Sequence, residues 1–172
     1  MNRFATRGFR NALLLAGMAA VLFACEPPAP EGEIGALAPE FEVQQLATGT
    51  DTVSSTEFKG KVMVIDFWAT WCGPCRKAFP EFEKTFRDYQ DKGVVFAAIT
   101  DEDRKVAEEF IRRMDYSFPF YRDPFGLVAK GFKVNGLPST VVVGKDGKIV
   151  AHFTGADPAS LRAAIDEALA KS

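Results

Sequence analysis

The run Val62-Met63-Val64-Ile65-Asp66-Phe67-Trp68-Ala69-Thr70-Trp71, closed by Cys72-Gly73-Pro74-Cys75, restricts the fold of this chain more than any other stretch. Val62 to Ile65 has the length and β-branched content of a buried strand, and helical periodicity sets in after Cys75. Cys72 therefore falls at a strand-to-helix junction. Unpaired backbone N–H groups and the helix dipole at such a junction favour thiolate over thiol. Cys72 is the candidate nucleophile, and Cys75, one helical turn further in, the candidate resolving thiol.

The chain has 172 residues, 47% of them hydrophobic and 26% charged, enough for one well-buried core and the composition of one globular domain. A monomer is expected. Its first part reads differently. Arg3, Arg7 and Arg10 precede the apolar run Ala12 to Ala24, a secretory signal pattern too short for the roughly 20 residues of a membrane-spanning helix. Leu22-Phe23-Ala24-Cys25 resembles a bacterial lipobox, which implies a lipidated Cys25 as the mature N-terminus and accounts for the odd cysteine count. The division expected is residues 1–24 as signal peptide, 25–34 as an acidic, Pro-rich tether and 35–172 as the domain. Without residues 1–24, 18 basic side chains face 23 acidic ones, a formal charge of about −5, so no nucleic acid is expected as a partner.

Along the domain, Phe41 to Val43 and Thr52 to Ser54 flank a turn as a small hairpin, and Ser55 to Phe58 suggests a short helical turn. Phe79, Phe82, Phe86 and Tyr89 form the core face of the helix after the cysteines, opposite the charged Glu81, Glu83, Lys84, Arg87 and Asp88. Pro80 sits inside that helix, where it removes a hydrogen bond. Val94 to Ile99 is a second buried strand. Thr100-Asp101-Glu102-Asp103 resembles a capping box for a helix carrying Val106, Phe110, Ile111 and Met114, with Glu102, Arg104, Lys105, Glu108 and Glu109 read as its solvated face. Phe118 to Tyr121, with Pro119, reads as a short edge strand. Leu127, Val128 and Phe132 suggest a short helix. Leu137 to Val143 reads as a third core strand with Pro138 at its start, paired antiparallel across the turn Lys145 to Lys148 with Ile149 to Phe153, and Asp157-Pro158 opens the last helix.

This order describes a mixed α/β sheet with helices on both faces. The segment from Asp66 to Cys75 resembles the active-site segment of thioredoxin, as does a proline five residues after the second cysteine. With the export signal and an extra strand-helix element at about 101–121, the chain is similar to membrane-attached thiol-disulfide oxidoreductases of the TlpA/ResA type. The resemblance implies a thioredoxin-like fold: a mixed central sheet flanked by helices, with an N-terminal β-hairpin and a central strand-helix insertion.

Asp66 is an acid in an otherwise apolar strand, costly to ionise, so its pKa should be raised. It reads either as a hydrogen-bonded structural residue at a strand end or as the group that takes and returns the proton of Cys75. Thioredoxin has an acid at this place, and the resemblance favours the second role. The resemblance also implies a cis-Pro138 facing the cysteines, backbone pairing of Leu137 with the substrate chain, and an apolar rim from Trp71 and Gly155-Ala156. Gly73 and Pro74 count with these among the substrate-contacting residues, and Trp68 reads as support. One departure stands out: many members of the periplasmic branch carry an acid three residues after the second cysteine and lack the strand acid, whereas this chain has Ala78 and Asp66.

Rival chemistries fit less well. A structural zinc site wants four ligands, and the domain offers Cys72, Cys75 and His152, which reads as a strand residue at the surface or sheet edge. The Pro-x-x-x-Thr-x-x-Cys setting of a peroxiredoxin-like antioxidant is not found, and intact cysteines argue against a redox-inactive binding or chaperone module. The expectation is an extracytoplasmic, lipid-anchored, periplasm-facing disulfide reductase with no cofactor beyond its Cys72–Cys75 disulfide. Its expected partners are exported proteins with disulfides, apocytochrome c among them by resemblance alone, and a membrane electron-donor thiol protein.

Overall fold

The computed structural model describes residues 32–46, 49, 51–155 and 157–171. The candidate leader, Cys25 and most of the tether lie outside the described residues, as does Ala156. In chain order the elements are β1 (Glu42–Gln45), β2 (Thr52–Ser54), a 3₁₀ turn (Ser55–Phe58), β3 (Val62–Phe67), α1 (Gly73–Tyr89), a second 3₁₀ turn (Gln90–Lys92), β4 (Val94–Thr100), α2 (Arg104–Ile111), β5 (Phe120–Arg122), α3 (Leu127–Gly131), β6 (Ser139–Val143), β7 (Ile149–Thr154) and α4 (Pro158–Ala170). No described helix is long and apolar enough to cross a membrane.

One seven-stranded sheet runs in the order β2-β1-β5-β4-β3-β6-β7. β3 sits between β4, which is parallel to it, and β6, which is antiparallel, and all six of its residues are buried. The two-residue period of a strand splits them. Val62 and Val64 face a core with Phe79, Phe82, Leu161 and Ile165 of α1 and α4, while Met63, Ile65 and Phe67 face Val128 and Phe132 at α3. Asp66 keeps the phase of Val62 and Val64 and so points toward α1 and α4.

Aromatic packing holds the first face together. Trp68 lies 5.4 Å from each of Phe79, Phe110 and Phe120, and Phe118 lies 4.6 Å from Phe120. Burying a side chain of this size stabilises a fold by roughly 1.5–3 kcal/mol. Because β3, β4 and β5 are parallel, the loops after them share one end of the sheet, and the first of these loops ends at Cys72, with Cys75 in the first turn of α1.

Several expectations change. β5 is an interior strand, because β1 pairs antiparallel with it through Gln44↔Arg122 and Gln45↔Tyr121; Pro119 falls just before it, with its carbonyl accepting the N–H of Ala98. The capping box at Thr100 does not form. Asp103 caps α2 instead, accepting from the N–H of Lys105, and Glu102 turns away from that helix. Glu83 is not on a solvated face: it exposes 7% of its surface and accepts from Ser117 Oγ at 2.5 Å, the N–H of Ser117 at 2.9 Å and Arg87 Nε at 2.6 Å. The insertion is thus fastened to α1 through one buried carboxylate.

Candidate active site

Cys72 is the N-cap of α1, with extended backbone, and its Sγ accepts the N–H of Cys75 at 3.2 Å. Pro74 stands in the first turn, where a missing N–H costs nothing. The two sulfurs form a disulfide across a Cα–Cα separation of 5.3 Å. Once reduced, the same N-cap position offers a Cys72 thiolate one backbone donor and the positive end of a helix of 17 residues. Cys75 is fully buried and Cys72 exposes only 3% of its surface, so an incoming sulfur has a narrow approach. A Cβ at Gly73 would meet nothing within 4 Å, so this position is open toward solvent.

On the strand that leads to the disulfide, Asp66 is buried on the face of β3 that α1 covers, the face on which Cys75 is also buried. Thr140 Oγ1 donates to its Oδ1 at 2.7 Å. Burial pushes the carboxyl from the usual 3.8 up to about 7, with the Thr140 hydrogen bond pulling the other way. Asp66, Ala78, Pro138, Thr140 and Gly155 line a cavity of about 30 Å³. That is enough for a water, which needs at least ~10–15 Å³ and polar partners.

The rim residues also have definite places. The Leu137–Pro138 bond is cis, Pro138 is buried and Leu137 is half-buried. Gly155 has φ +97°, a conformation that favours glycine, and its N–H donates to the Pro138 carbonyl at 2.9 Å, fixing the loop after β7 against the proline. Trp71 is 72% exposed and Trp68 is buried. Trp71 and Leu137 border a groove that also takes in Asp101 and Val134. His152 is half-buried on the edge strand β7, with Nε2 at 2.8 Å from Ser139 Oγ, and burial lowers its pKa. Among the described residues no group of three or more His, Cys, Asp or Glu is placed to hold a metal ion.

Two residues of the site escape a reading of the sequence. Thr140 is the cross-strand partner of Asp66, a relation set by the register between β3 and β6. Glu102, read above as part of a solvated helix face, is half-buried and accepts from both the N–H and the hydroxyl of Thr70, two residues before Cys72. The one sequence signal for it is an acid just past the end of the strand neighbouring β3.

A disulfide at the N-terminus of α1, a buried acid on the strand that leads into it and a cis-proline just before the neighbouring strand β6 define a thioredoxin-like thiol-disulfide oxidoreductase. The chain belongs to the Redoxin family, whose model matches residues 33–169. It is 33% identical over 162 residues to the thiol-disulfide oxidoreductase ResA of Oceanobacillus iheyensis, covering 90% of this chain and 83% of the relative. A crystal structure from Chlorobium tepidum, described as a thiol:disulfide interchange protein DsbE, superposes with a TM-score of 0.73 at 30% identity, over 80% of this chain and 98% of the other. A Bacteroides vulgatus structure described as a thiol-disulfide oxidoreductase gives 0.74 at 26% identity, over 81% and 99%.

Proposed function

We propose that this protein reduces disulfides in exported proteins outside the cytoplasm, held to the membrane by lipid on Cys25 and working as a monomer. The observation that carries the chemistry is the Cys72–Cys75 pair at the start of α1 with Asp66 buried on the strand that leads to it. In the reduced protein, the Cys72 thiolate attacks one sulfur of a client disulfide, forming a Cys72–client bond and releasing the other client sulfur as thiolate. Cys75 then attacks Cys72 Sγ. The client leaves as a dithiol with two electrons, and the Cys72–Cys75 disulfide closes.

Asp66 handles the proton in the second step. A carboxyl with a pKa of about 7 is half ionised near neutrality, so it can take the proton of Cys75 as that thiol attacks and return it when the pair is reduced again. The cavity beside Asp66 has room for a water to exchange that proton with the carboxyl. Leu137 and Trp71 align the client chain on either side of the groove they border.

Direction rests on the Gly73-Pro74 dipeptide shared with thioredoxin. Thioredoxin sits near −270 mV and a strong periplasmic oxidant near −120 mV, a gap of roughly 7 kcal/mol for two electrons. A reductase in an oxidising compartment must be recharged, which calls for a membrane thiol protein as electron donor. Apocytochrome c, with paired cysteines that must be reduced before haem attachment, is the client class proposed, and no cofactor is required beyond the protein's own disulfide.

The test is trapping. In cells, Cys75→Ala stops resolution and should leave Cys72 joined to its clients as mixed disulfides that dithiothreitol releases. Absence of any Cys72-dependent adduct would falsify the exchange mechanism, and adducts confined to cytoplasmic proteins would overturn the location.

A further inference from the structure

We propose that Glu102 is the positioning residue of the active-site loop, acting through Thr70 to hold Trp71 and Cys72 where a protein disulfide can meet them. The inference rests on the exchange reading above and adds to it a residue from the insertion. The connection from β3 to α1 is tied by main-chain bonds at two places: the N–H of Trp68 donates to the carbonyl of Ile99, and the N–H of Cys72 to the carbonyl of Ala69, both at 3.0 Å. Between them, Thr70 is held by a side chain alone. Its N–H lies 2.5 Å from Glu102 Oε2 and its hydroxyl 2.7 Å from Glu102 Oε1, so one carboxylate engages both donors of one residue. Hydrogen bonds to a charged acceptor are about twice as strong as neutral ones.

Glu102 is itself anchored. Arg122 Nε on β5 donates to its carbonyl at 2.7 Å, and the hydroxyl of Thr100 at the end of β4 approaches both its N–H and its carboxylate at 3.4 Å. Among the described residues no lysine, arginine or histidine forms an ion pair with its carboxylate, so its hydrogen-bonding capacity is directed at Thr70 and Thr100. The chain leaving β4 into the insertion therefore reaches back and fixes the loop that carries the nucleophile. Trp71, exposed and next to Cys72, depends on that hold for its place at the groove with Leu137.

A loosened loop should harm reaction with a protein, which must match a surface, far more than reaction with a small disulfide. Small misplacements of reacting groups cost up to about 100-fold in rate. The experiment uses the full chain with Glu102→Ala, Glu102→Gln, Thr70→Val and the Glu102→Ala/Thr70→Val double variant, and Glu109→Gln as a surface control. Insulin reduction, reaction with the small disulfide DTNB and hydrogen exchange at the Thr70 amide are measured.

The expected result for Glu102→Ala is a loss of about tenfold in kcat/KM on insulin with less than about threefold on DTNB, together with faster exchange at Thr70. Glu102→Gln, which keeps one acceptor oxygen, should recover most of the loss, and the double variant should be no worse than Glu102→Ala. Equal losses on insulin and DTNB, additive effects in the double variant, or unchanged Thr70 exchange each overturn the proposal. If Glu102→Ala does not fold, Thr70→Val and Glu102→Gln decide by the same readouts. Wild-type protein inactive on insulin would overturn the exchange reading, whereas the Thr70 exchange comparison still decides the role of Glu102.

Discussion

Asp66 on β3 and Thr140 on β6 are direct cross-strand partners, the threonine hydroxyl donates to the carboxyl at 2.7 Å, and both line a cavity of about 30 Å³. The pair sets a balance between burial, which favours the protonated acid, and one hydrogen bond, which favours the carboxylate.

That balance predicts how stability varies with pH. Between the unfolded value near 3.8 and the folded value of about 7, the unfolded chain has lost the Asp66 proton while the folded protein keeps it. The stabilisation contributed by the protonated acid is complete below the unfolded pKa and is lost as pH rises to the folded one, by on the order of 4 kcal/mol in total. Asp66→Asn removes this dependence. Urea melts of the oxidised proteins should show the variant gaining on the wild type by a few kcal/mol between pH 4 and pH 8. An equal difference at both pH values would contradict the burial argument.

Thr140→Val removes the hydroxyl that favours ionised Asp66, so the carboxyl should titrate higher still. The rising limb of the pH–rate profile for insulin reduction should move up by about one pH unit, with several-fold slower turnover near pH 6.5 that recovers at higher pH. Slower turnover with an unmoved midpoint would assign Thr140 to packing rather than to tuning Asp66.

Glu83 is another buried acid, and its sign is opposite. Burial pushes its pKa up, but hydrogen bonds from Ser117, Arg87 and the N–H of Phe118 outweigh it and hold the group below the usual 4.5. Its contribution to stability is therefore present above the ordinary carboxylate range and lost as pH falls through the folded value. Glu83→Ala leaves the N–H groups of Ser117 and Phe118 without their acceptor, and should destabilise the protein by roughly 2–4 kcal/mol at neutral pH. Thermal melts at pH 7 and pH 4 check both statements: the deficit of the variant should be smaller at the lower pH.

The two acids also mark where a reading of the sequence stops. β3, α1 and the cysteines are legible because the signals are local: a β-branched run, a change of period, and Cys72 at the junction. Asp66 is legible as an acid with no polar company along its strand. Glu83 and Glu102 are not, because a helical pattern shows which side chains leave one core and says nothing of a later segment that returns to cover them. For Glu83 that segment is Ser117-Phe118, and Glu102 meets the loop before Cys72. The interior position of β5 is hidden for a similar reason, since its pairing with β1 joins residues 78 apart, Gln44 and Arg122.

Ala78 offers the sharpest test of the cavity. It stands one turn beyond Cys75 on α1 and lines the same cavity as Asp66. Ala78→Glu would place a second carboxyl beside the first, and two acids sharing one site cannot both ionise cheaply, so the pair should titrate in two separated steps. The apparent midpoint for insulin reduction should rise above the wild-type value by about one unit or more, with slower turnover at pH 7. In the double variant Asp66→Asn/Ala78→Glu, the glutamate is the only acid left at the cavity. Turnover well above that of Asp66→Asn alone would mean that the proton can be handled from the helix as well as from the strand. Turnover no better than Asp66→Asn would tie the proton route to β3, and an unmoved midpoint in Ala78→Glu would show that the new side chain leaves the cavity for solvent.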